Sequence, residues 1–423
     1  MLLVSCLFGT ANAADSESAI DAAVAAVDAK VIAWRRDFHQ NPELSNREVR
    51  TSKVVAAHLK KLGLEVETGI ATTGVVALLR TGRPGPTVAL RADMDALPVT
   101  ERTDVPFRSV ARANYRGEEV GVMHACGHDA HTAVLMGVAE ALVGSRAGLR
   151  GNVLFVFQPA EEGVLPGEVG GASEMVKAGI FEKYQPEVTI GSHAWASLNT
   201  GEIGYRVGPL MADSNVWRIV VKGQQSHGSR PWNGVDPILV ASQIVTSLNT
   251  IVSRQVDITD NPAVLSVGII KGGVRNNIIP ESAELIGTLR TFTPGQKAKI
   301  VAGMKRMAEN VATASGAKAE FELDRYSNPV VVNDAKLTEK LLPALERVAG
   351  KEHVNVVPLV TGSEDFAYFA QKVPSFFFFY GVTPRDQNAA TAPSNHSPDF
   401  FLDEAAMAMA VRAMTAVAVE YLK

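Results

Sequence analysis

The sequence predicts an α/β protein, a mixed, largely parallel sheet flanked by helices, with a smaller ferredoxin-like α+β domain inserted into it. Three observations lead there. Short uninterrupted aliphatic and β-branched runs alternate with helical stretches, which is the signature of strands covered on both faces. In mid-chain the order changes to strand, helix, strand, strand, helix, strand, the split βαβ arrangement. The chain has 423 residues, 46% of them hydrophobic, enough for more than one domain of ~150 residues.

Taken in order, apolar residues recur at helical spacing from Ile20 to Phe38 and again from Glu48 to Leu62, where Gly63 stops the helix. Strand-like runs follow at Val75 to Arg80, Thr87 to Arg91, Val153 to Gln158 and Val188 to Ser192, with a buried helix from Ala130 to Val143 between the second and third. Ser214 to Lys222 then alternates as a half-buried strand. Asp236 to Arg254 reads as helix, Val264 to Ile270 and Glu284 to Thr291 as strands, Pro294 to Ala314 as helix and Ala317 to Leu323 as a closing strand. The α/β texture resumes with the helix Ala335 to Ala349, the strand Val354 to Leu359, the run Ser375 to Tyr380 and a helix from Asp403 to Leu422. Domain boundaries are therefore set at 14–209 with 325–423 for the main domain, and 210–324 for the insert. Four consecutive phenylalanines, Phe376 to Phe379, suit a strand buried on both sides.

Residues 1–13 form an apolar run, Leu2 to Phe8, followed by small residues ending Ala11-Asn12-Ala13. This resembles the tail of a secretory signal peptide cleaved after Ala13, without the positive leading region of a full one, and implies a periplasmic or secreted protein, with the cytoplasm as alternative. No later stretch approaches the ~20 apolar residues of a membrane span. Lys plus Arg number 41 against 45 Asp plus Glu, so no basic surplus exists to neutralise phosphates and no nucleic-acid partner is expected. Two cysteines, Cys6 and Cys126, offer no disulfide framework.

Chemistry concentrates in a few places. Met123 to His131 holds three histidines, a thiol and an acid. Cys126 and His128 flank a glycine, so an extended or tight-turn backbone puts both side chains on one side, as a zinc-like ion requires. Glu161 and Glu162 follow directly on the strand Val153 to Gln158, at the kind of strand end where α/β sheets build sites. Adjacent residues diverge, so one can bind metal while the other faces substrate. His193 occupies the same position after Val188 to Ile190, and His396 lies in a loop before the last helix.

These motifs resemble the amidohydrolase branch of the M20 metallopeptidases, which includes hippurate hydrolases, N-acyl amino acid hydrolases and auxin-conjugate hydrolases. Matching stretches run in order through nearly the whole mature chain: Arg35 to Leu44, Leu90 to Pro98, Met123 to His131, Phe157 to Gly163, Gly191 to Trp195, Gly272-Gly273 with Asn277 to Pro280, Gly287 to Arg290, Ser363 to Phe366 and His396 to Pro398. The resemblance implies five ligands for two divalent metal ions (Zn, Mn, Ni or Co): Cys126, His128, Glu162, His193 and His396. It makes Glu161 the general base, and His227 an oxyanion donor that reaches across from the second subunit of a homodimer or higher oligomer. Asn277 and Arg290 would grip a substrate carboxylate. Asp95 would orient a ligand, and Asp93 stands where related branches place a ligand. Gln224, Gln225 and Ser226 replace the glycine-rich stretch usual before the lid histidine. His124, His131 and His39 are read as local hydrogen-bonding groups.

The expected function is hydrolysis of the amide bond of small-molecule N-acyl amino acids. Two alternatives stand beside it: a dipeptidase or carboxypeptidase on the same scaffold, and a non-catalytic periplasmic binding protein. A dipeptidase usually needs an acidic anchor for the substrate ammonium group, and no motif supplies one.

Overall fold

In a computed structural model, the structure describes residues 13–324 and 327–423. The leader read at 1–13, Cys6 included, falls outside the described residues except for its final alanine. The chain divides into two units. The first holds the described residues up to Val207, with Asn333–Val357 and Tyr368–Lys423; the second holds Gly208–Val332 and Pro358–Ala367.

The first unit is built on eight strands: β1 (Glu65–Ile70), β2 (Gly74–Arg80), β3 (Thr87–Asp93), β4 (Asn152–Gln158), β5 (Val188–Asn199), β6 (Ile203–Tyr205), β7 (Val354–Val356) and β8 (Ser375–Thr383). They lie in the order β1-β2-β4-β3-β5-β8-β6-β7. The middle four pair in parallel, β4 with β3, β3 with β5 and β5 with β8. β1, β2 and β4 pair antiparallel, which makes the sheet mixed. Every residue of β3 and β8 is buried, so their sequences carry no polar alternation. The phenylalanine run is the centre of β8, and Phe376 and Phe378 join the main core.

Helices α1 (Ala13–Gln40), α2 (Val49–Lys61), α3 (His128–Gly144), α4 (Ala335–Ala349) and α5 (Ala405–Leu422) cover the sheet. α3 and α5 are apolar nearly all round because other helices enclose them. α5 is also the helix, among the described residues, long and apolar enough to cross a membrane, yet most of it is buried in the core. The Glu43 carboxylate accepts the Arg50 and Thr51 amides at 2.9 and 2.8 Å, satisfying donors that the first turn of α2 leaves unpaired.

Three elements of this unit carry no apolar run that would announce them. β1 is an edge strand, half exposed and acidic. β6 is three residues long. The hairpin Arg112–Tyr115 and Glu118–Gly121 pairs with no other strand; Arg112, Asn114, Glu118 and Glu119 are exposed, while Ala113 and Tyr115 pack inward. Its turn residues Arg116 and Gly117 both have positive φ, 55° and 89°, the tight geometry that hairpins favour. The strand expected to reach Leu359 stops at Val356, and Pro358 begins a segment of the other unit.

In the second unit the strands lie in the order Val264–Gly272, Ser282–Arg290, Asn215–Lys222, Lys318–Leu323. Helices Pro237–Gln255 and Pro294–Ala314 pack on one face, burying Ile244, Leu248, Ile300 and Met304 against Trp217, Ile219 and Leu285. Each helix starts on a side-chain cap: Asp236 accepts the Ile238 and Leu239 amides, and Thr293 accepts that of Gln296. Segment Pro358–Ala367 belongs to this unit because the Ala212 amide donates to the carbonyls of Val360 and Gly362, and the Val360 amide to that of Leu210.

Candidate metal centre

Asp93 and Gln158 are register partners at the carboxyl ends of the parallel strands β3 and β4. The chain leaving β3 carries Asp95, and the chain leaving β4 carries Glu161 and Glu162. One sheet edge therefore receives both carboxylate pairs. The Cys126 to His128 turn meets the same edge. Gly127 has φ +96°, and a Cβ there would sit 2.9 Å from that of Ala194, so only glycine lets the thiol and imidazole approach β5 this closely.

The ligand atoms of Cys126, His128 and His193 lie within 4.8 Å of one another, as do those of Cys126, Glu162 and His396, and of His128, Glu161 and Glu162. These overlapping triads bring together all five residues named as ligands, and Glu161 with them. The Cys126 sulfur is 3.3 Å from His193 Nε2. His128 Nε2 is 3.9 Å from Glu162 Oε1 and 4.0 Å from Glu161 Oε2. His396 Nε2 is 3.2 Å from Glu162 Oε1.

Protonation follows from partners. His193 Nδ1 donates to the Ala194 carbonyl at 2.7 Å, which turns the Nε2 lone pair toward Cys126. Burial, with His131 beside it, pushes the His193 imidazole well down, so it is neutral. His128 directs Nδ1 to Asp95 Oδ1 at 3.3 Å, while its Nε2 is buried without a hydrogen-bond partner. Burial opposes charge on that ring, but Asp93, Asp95 and Glu162 outweigh it and lift its pKa to about 10. An imidazole pressed by three carboxylates, with an orphaned nitrogen facing two glutamates, marks a place that demands positive charge. Thiolate, imidazole and carboxylate donors suit first-row divalent cations, and the residues present fit such a centre.

Asp95 is the hub. Besides His128 it accepts the amides of Glu161 and Glu162 at 3.1 and 3.0 Å and the Ser45 hydroxyl at 2.7 Å. Asp93 is occupied otherwise, by Arg91 at 2.7 Å and by His131 Nδ1 at 2.6 Å. His131 Nε2 in turn accepts the Ala194 amide at 2.8 Å, so both of its nitrogens are used. His39 bridges Asp129 at 2.8 Å and Glu101 at 3.0 Å. His124 departs from the sequence expectation: both its nitrogens are buried without partners, and burial pushes it down to about 4, which keeps the ring neutral.

Two positioning groups escaped the sequence. Asn395 accepts the Ala196 amide at 3.1 Å and donates to the carbonyls of Cys126 and Ala194, each at 3.0 Å. It thus staples the His396 loop to the other ligand segments and holds His396 at φ +72°, a conformation costly for a residue with a side chain. Glu48, fully buried, accepts the Ala160 amide at 2.8 Å and the Thr73 hydroxyl at 2.6 Å. That fixes Ala160, itself at φ +54°, immediately before Glu161. An asparagine in a loop reads as a turn former, and an acid before a helix as a dipole partner, so neither stood out.

The second unit carries His227, Asn277 and Arg290. His227 pairs with Ile278 in a two-residue ribbon, and the Gly228 amide donates to the Asn277 carbonyl at 2.8 Å. His227 Nδ1 accepts from the Ser229 amide at 3.0 Å, which leaves the proton on Nε2. The Gln224 to Ser226 departure is accommodated by a bridge from Gln224 to Val235. Arg290 closes the far end of strand Ser282–Arg290, roughly 27 Å from the ribbon end at ~3.4 Å per residue. Its Nη1 is buried without a partner, and burial lowers its pKa despite Asp213.

Residues 89–420 match the family model described as Peptidase family M20/M25/M40. The chain is 38% identical over 392 residues to thermostable carboxypeptidase 2 of Saccharolobus solfataricus, covering 92% of this chain and 95% of that protein. It is 37% identical over 396 residues to an N-acetylcysteine deacetylase of Bacillus subtilis, covering 93% and 97%. Its fold is similar to the crystal structure of a Bacillus subtilis dinuclear metal binding peptidase from the M20 family, with a TM-score of 0.77 and 35% identity over 94% of this chain and 99% of that one.

Proposed function

Because this chain belongs to peptidase family M20/M25/M40, we propose that it is a metal-dependent amidohydrolase that cleaves N-acyl amino acids to a carboxylic acid and a free amino acid. The observation that carries the reading is the Asp95 carboxylate, which holds His128 through Nδ1 and the Glu161 and Glu162 backbone together. Names among the similar proteins, a deacetylase and a carboxypeptidase, support amide hydrolysis.

Cys126, His128, Glu162, His193 and His396 would hold two divalent cations, zinc, manganese, nickel or cobalt. Such a centre, when bound, polarises a carbonyl and acidifies water. Glu161, with Oε2 4.0 Å from His128 Nε2, takes the proton of the attacking water and returns it to the departing nitrogen. His227, with its proton on Nε2, donates to the developing oxyanion. Asn277 and Arg290 hold the substrate carboxylate, and the unpartnered Arg290 Nη1 supports that role. The His227–Asn277 pair and Arg290 stand at opposite ends of their unit, so one copy of the unit does not gather all three. That arrangement supports a dimer in which the partner supplies His227.

The test is release of acid and amine from a panel of N-acetyl, N-benzoyl and long-chain acyl amino acids by the metal-loaded enzyme. Glu161→Gln should lower kcat by about 10²- to 10⁴-fold with metal content unchanged. Turnover equal to wild type would remove Glu161 from the mechanism.

A further inference from the structure

Beside the hairpin of the first unit lies a cavity of about 440 Å³ whose wall includes Glu162. We propose that this cavity is the acyl pocket of the reaction proposed above, on which the inference rests, and that it favours medium-chain or aromatic acyl groups over acetyl.

Its composition argues for an apolar guest. Leu44, Ala96 and Val122 form a small buried cluster on which Ala113 packs, and Leu97 and Leu165 complete the lining. Four of the polar side chains on the wall have partners of their own, and Tyr115 packs on the apolar cluster. Glu43 caps α2, and Ser45 donates to Asp95. Arg47 is held by Glu168 at 2.6 Å, and Arg112 by Glu119 at 2.5 Å. Arg47 and Arg112 already have carboxylate partners, for which the carboxylate half of an N-acyl amino acid would have to compete, whereas the acyl half finds the aliphatic side chains of Leu44, Leu97, Val122 and Leu165. Continuity with the metal centre comes from Glu162, which faces this cavity and lies 3.9 Å from His128 Nε2. An amide carbon presented to the centre can therefore trail its acyl chain into the cavity.

Size argues against acetyl. A cavity of ~150 Å³ already accepts benzene, so this one has room for an acyl group far larger than acetyl. The free hairpin supplies one wall: its strands pair only with each other. Its base is pinned where Gly121 packs against Thr100, with a Cβ there 2.5 Å from Thr100 Oγ1. Ala113 lines the cavity and packs on its apolar cluster, so a larger side chain at that position takes up cavity volume.

The experiment measures kcat/KM of the metal-loaded enzyme for one amino acid carrying acyl groups from acetyl to octanoyl, and benzoyl. Calorimetric binding of octanoate is measured in parallel. Wild type should gain about fourfold per methylene, the equivalent of ~0.8 kcal/mol, until the cavity is full. Ala113→Phe, and independently Leu165→Phe on another part of the wall, should lower the octanoyl-to-acetyl ratio at least tenfold and weaken octanoate binding to match. A flat series, or ratios that neither variant moves, overturns the pocket and leaves the amidohydrolase reading intact. If no acyl amino acid is cleaved, yet octanoate binds and both variants weaken it tenfold, the cavity is an apolar binding site but not the acyl pocket of a hydrolase, and both readings fall. Absence of both turnover and octanoate binding overturns the pocket as well.

Discussion

Asp95 reaches four partners from two oxygens, and each is a part of the site or its support: His128, Glu161, Glu162 and Ser45. Groups that orient metal ligands in this way typically contribute ~10- to 100-fold in affinity. Asp95→Ala should weaken metal binding by that factor in a competition titration with a chelating dye, and wild-type affinity would show that the backbone holds the glutamates unaided. Glu48 acts through its proton. Burial, and then the charge of Asp95, raises its carboxyl from 4.5 to about 7. The folded chain therefore keeps a proton that the unfolded chain has released, and the stability this contributes is complete below pH ~4.5 and lost as pH rises through about 7. In metal-free protein the stability difference between wild type and Glu48→Gln should shrink as pH rises from about 4.5 to 7, at a rate approaching ~1.4 kcal/mol per pH unit, while the buried neutral His124 and His193 act in the opposite sense in both proteins. Melting curves of both across the range decide it. The ligand residues were legible because cysteine, histidine and paired glutamates are chemically rare in such company. Glu48 and Asn395 were not, since their work is done through backbone amides and carbonyls that no side-chain pattern reports.

Strands buried on both faces announce themselves by continuous apolar runs, and β2, β3, β4 and β8 could be read within a residue or so at their starts. Edges and hairpins lack that signal: β1 and the 112–121 hairpin intersperse exposed polar residues with too few apolar ones to make a run. Gly287 shows what the Gly287 to Arg290 stretch is for at its first position. It sits opposite Trp217 in register, and a Cβ there would lie 2.2 Å from the indole Cζ2 and 2.0 Å from the Ser266 carbonyl oxygen. Neither the fully buried indole nor the neighbouring strand can withdraw. Gly287→Ala should destabilise the second unit by ~1 to 3 kcal/mol or more, visible as an earlier unfolding transition in calorimetry, while Gly295→Ala, with nothing near its Cβ, should leave the transition within ~0.5 kcal/mol.

At the scale of the whole molecule, the alternation of strands and helices carried the sheet and the split βαβ order carried the four-stranded layer. The return of Pro358–Ala367 to the second unit was hidden, because three backbone hydrogen bonds decide it and backbone pairing leaves little trace in ten residues. The sheet order explains how ligands so distant in sequence share one edge. It also sets a condition on synthesis. His396 and its staple Asn395 leave the ribosome after every other member of the proposed cluster, and the β8 strand that aligns their loop precedes them only shortly. A nascent or truncated chain can thus gather the earlier donors and still not enclose its cations, so that loading with metal reports a polypeptide made past His396.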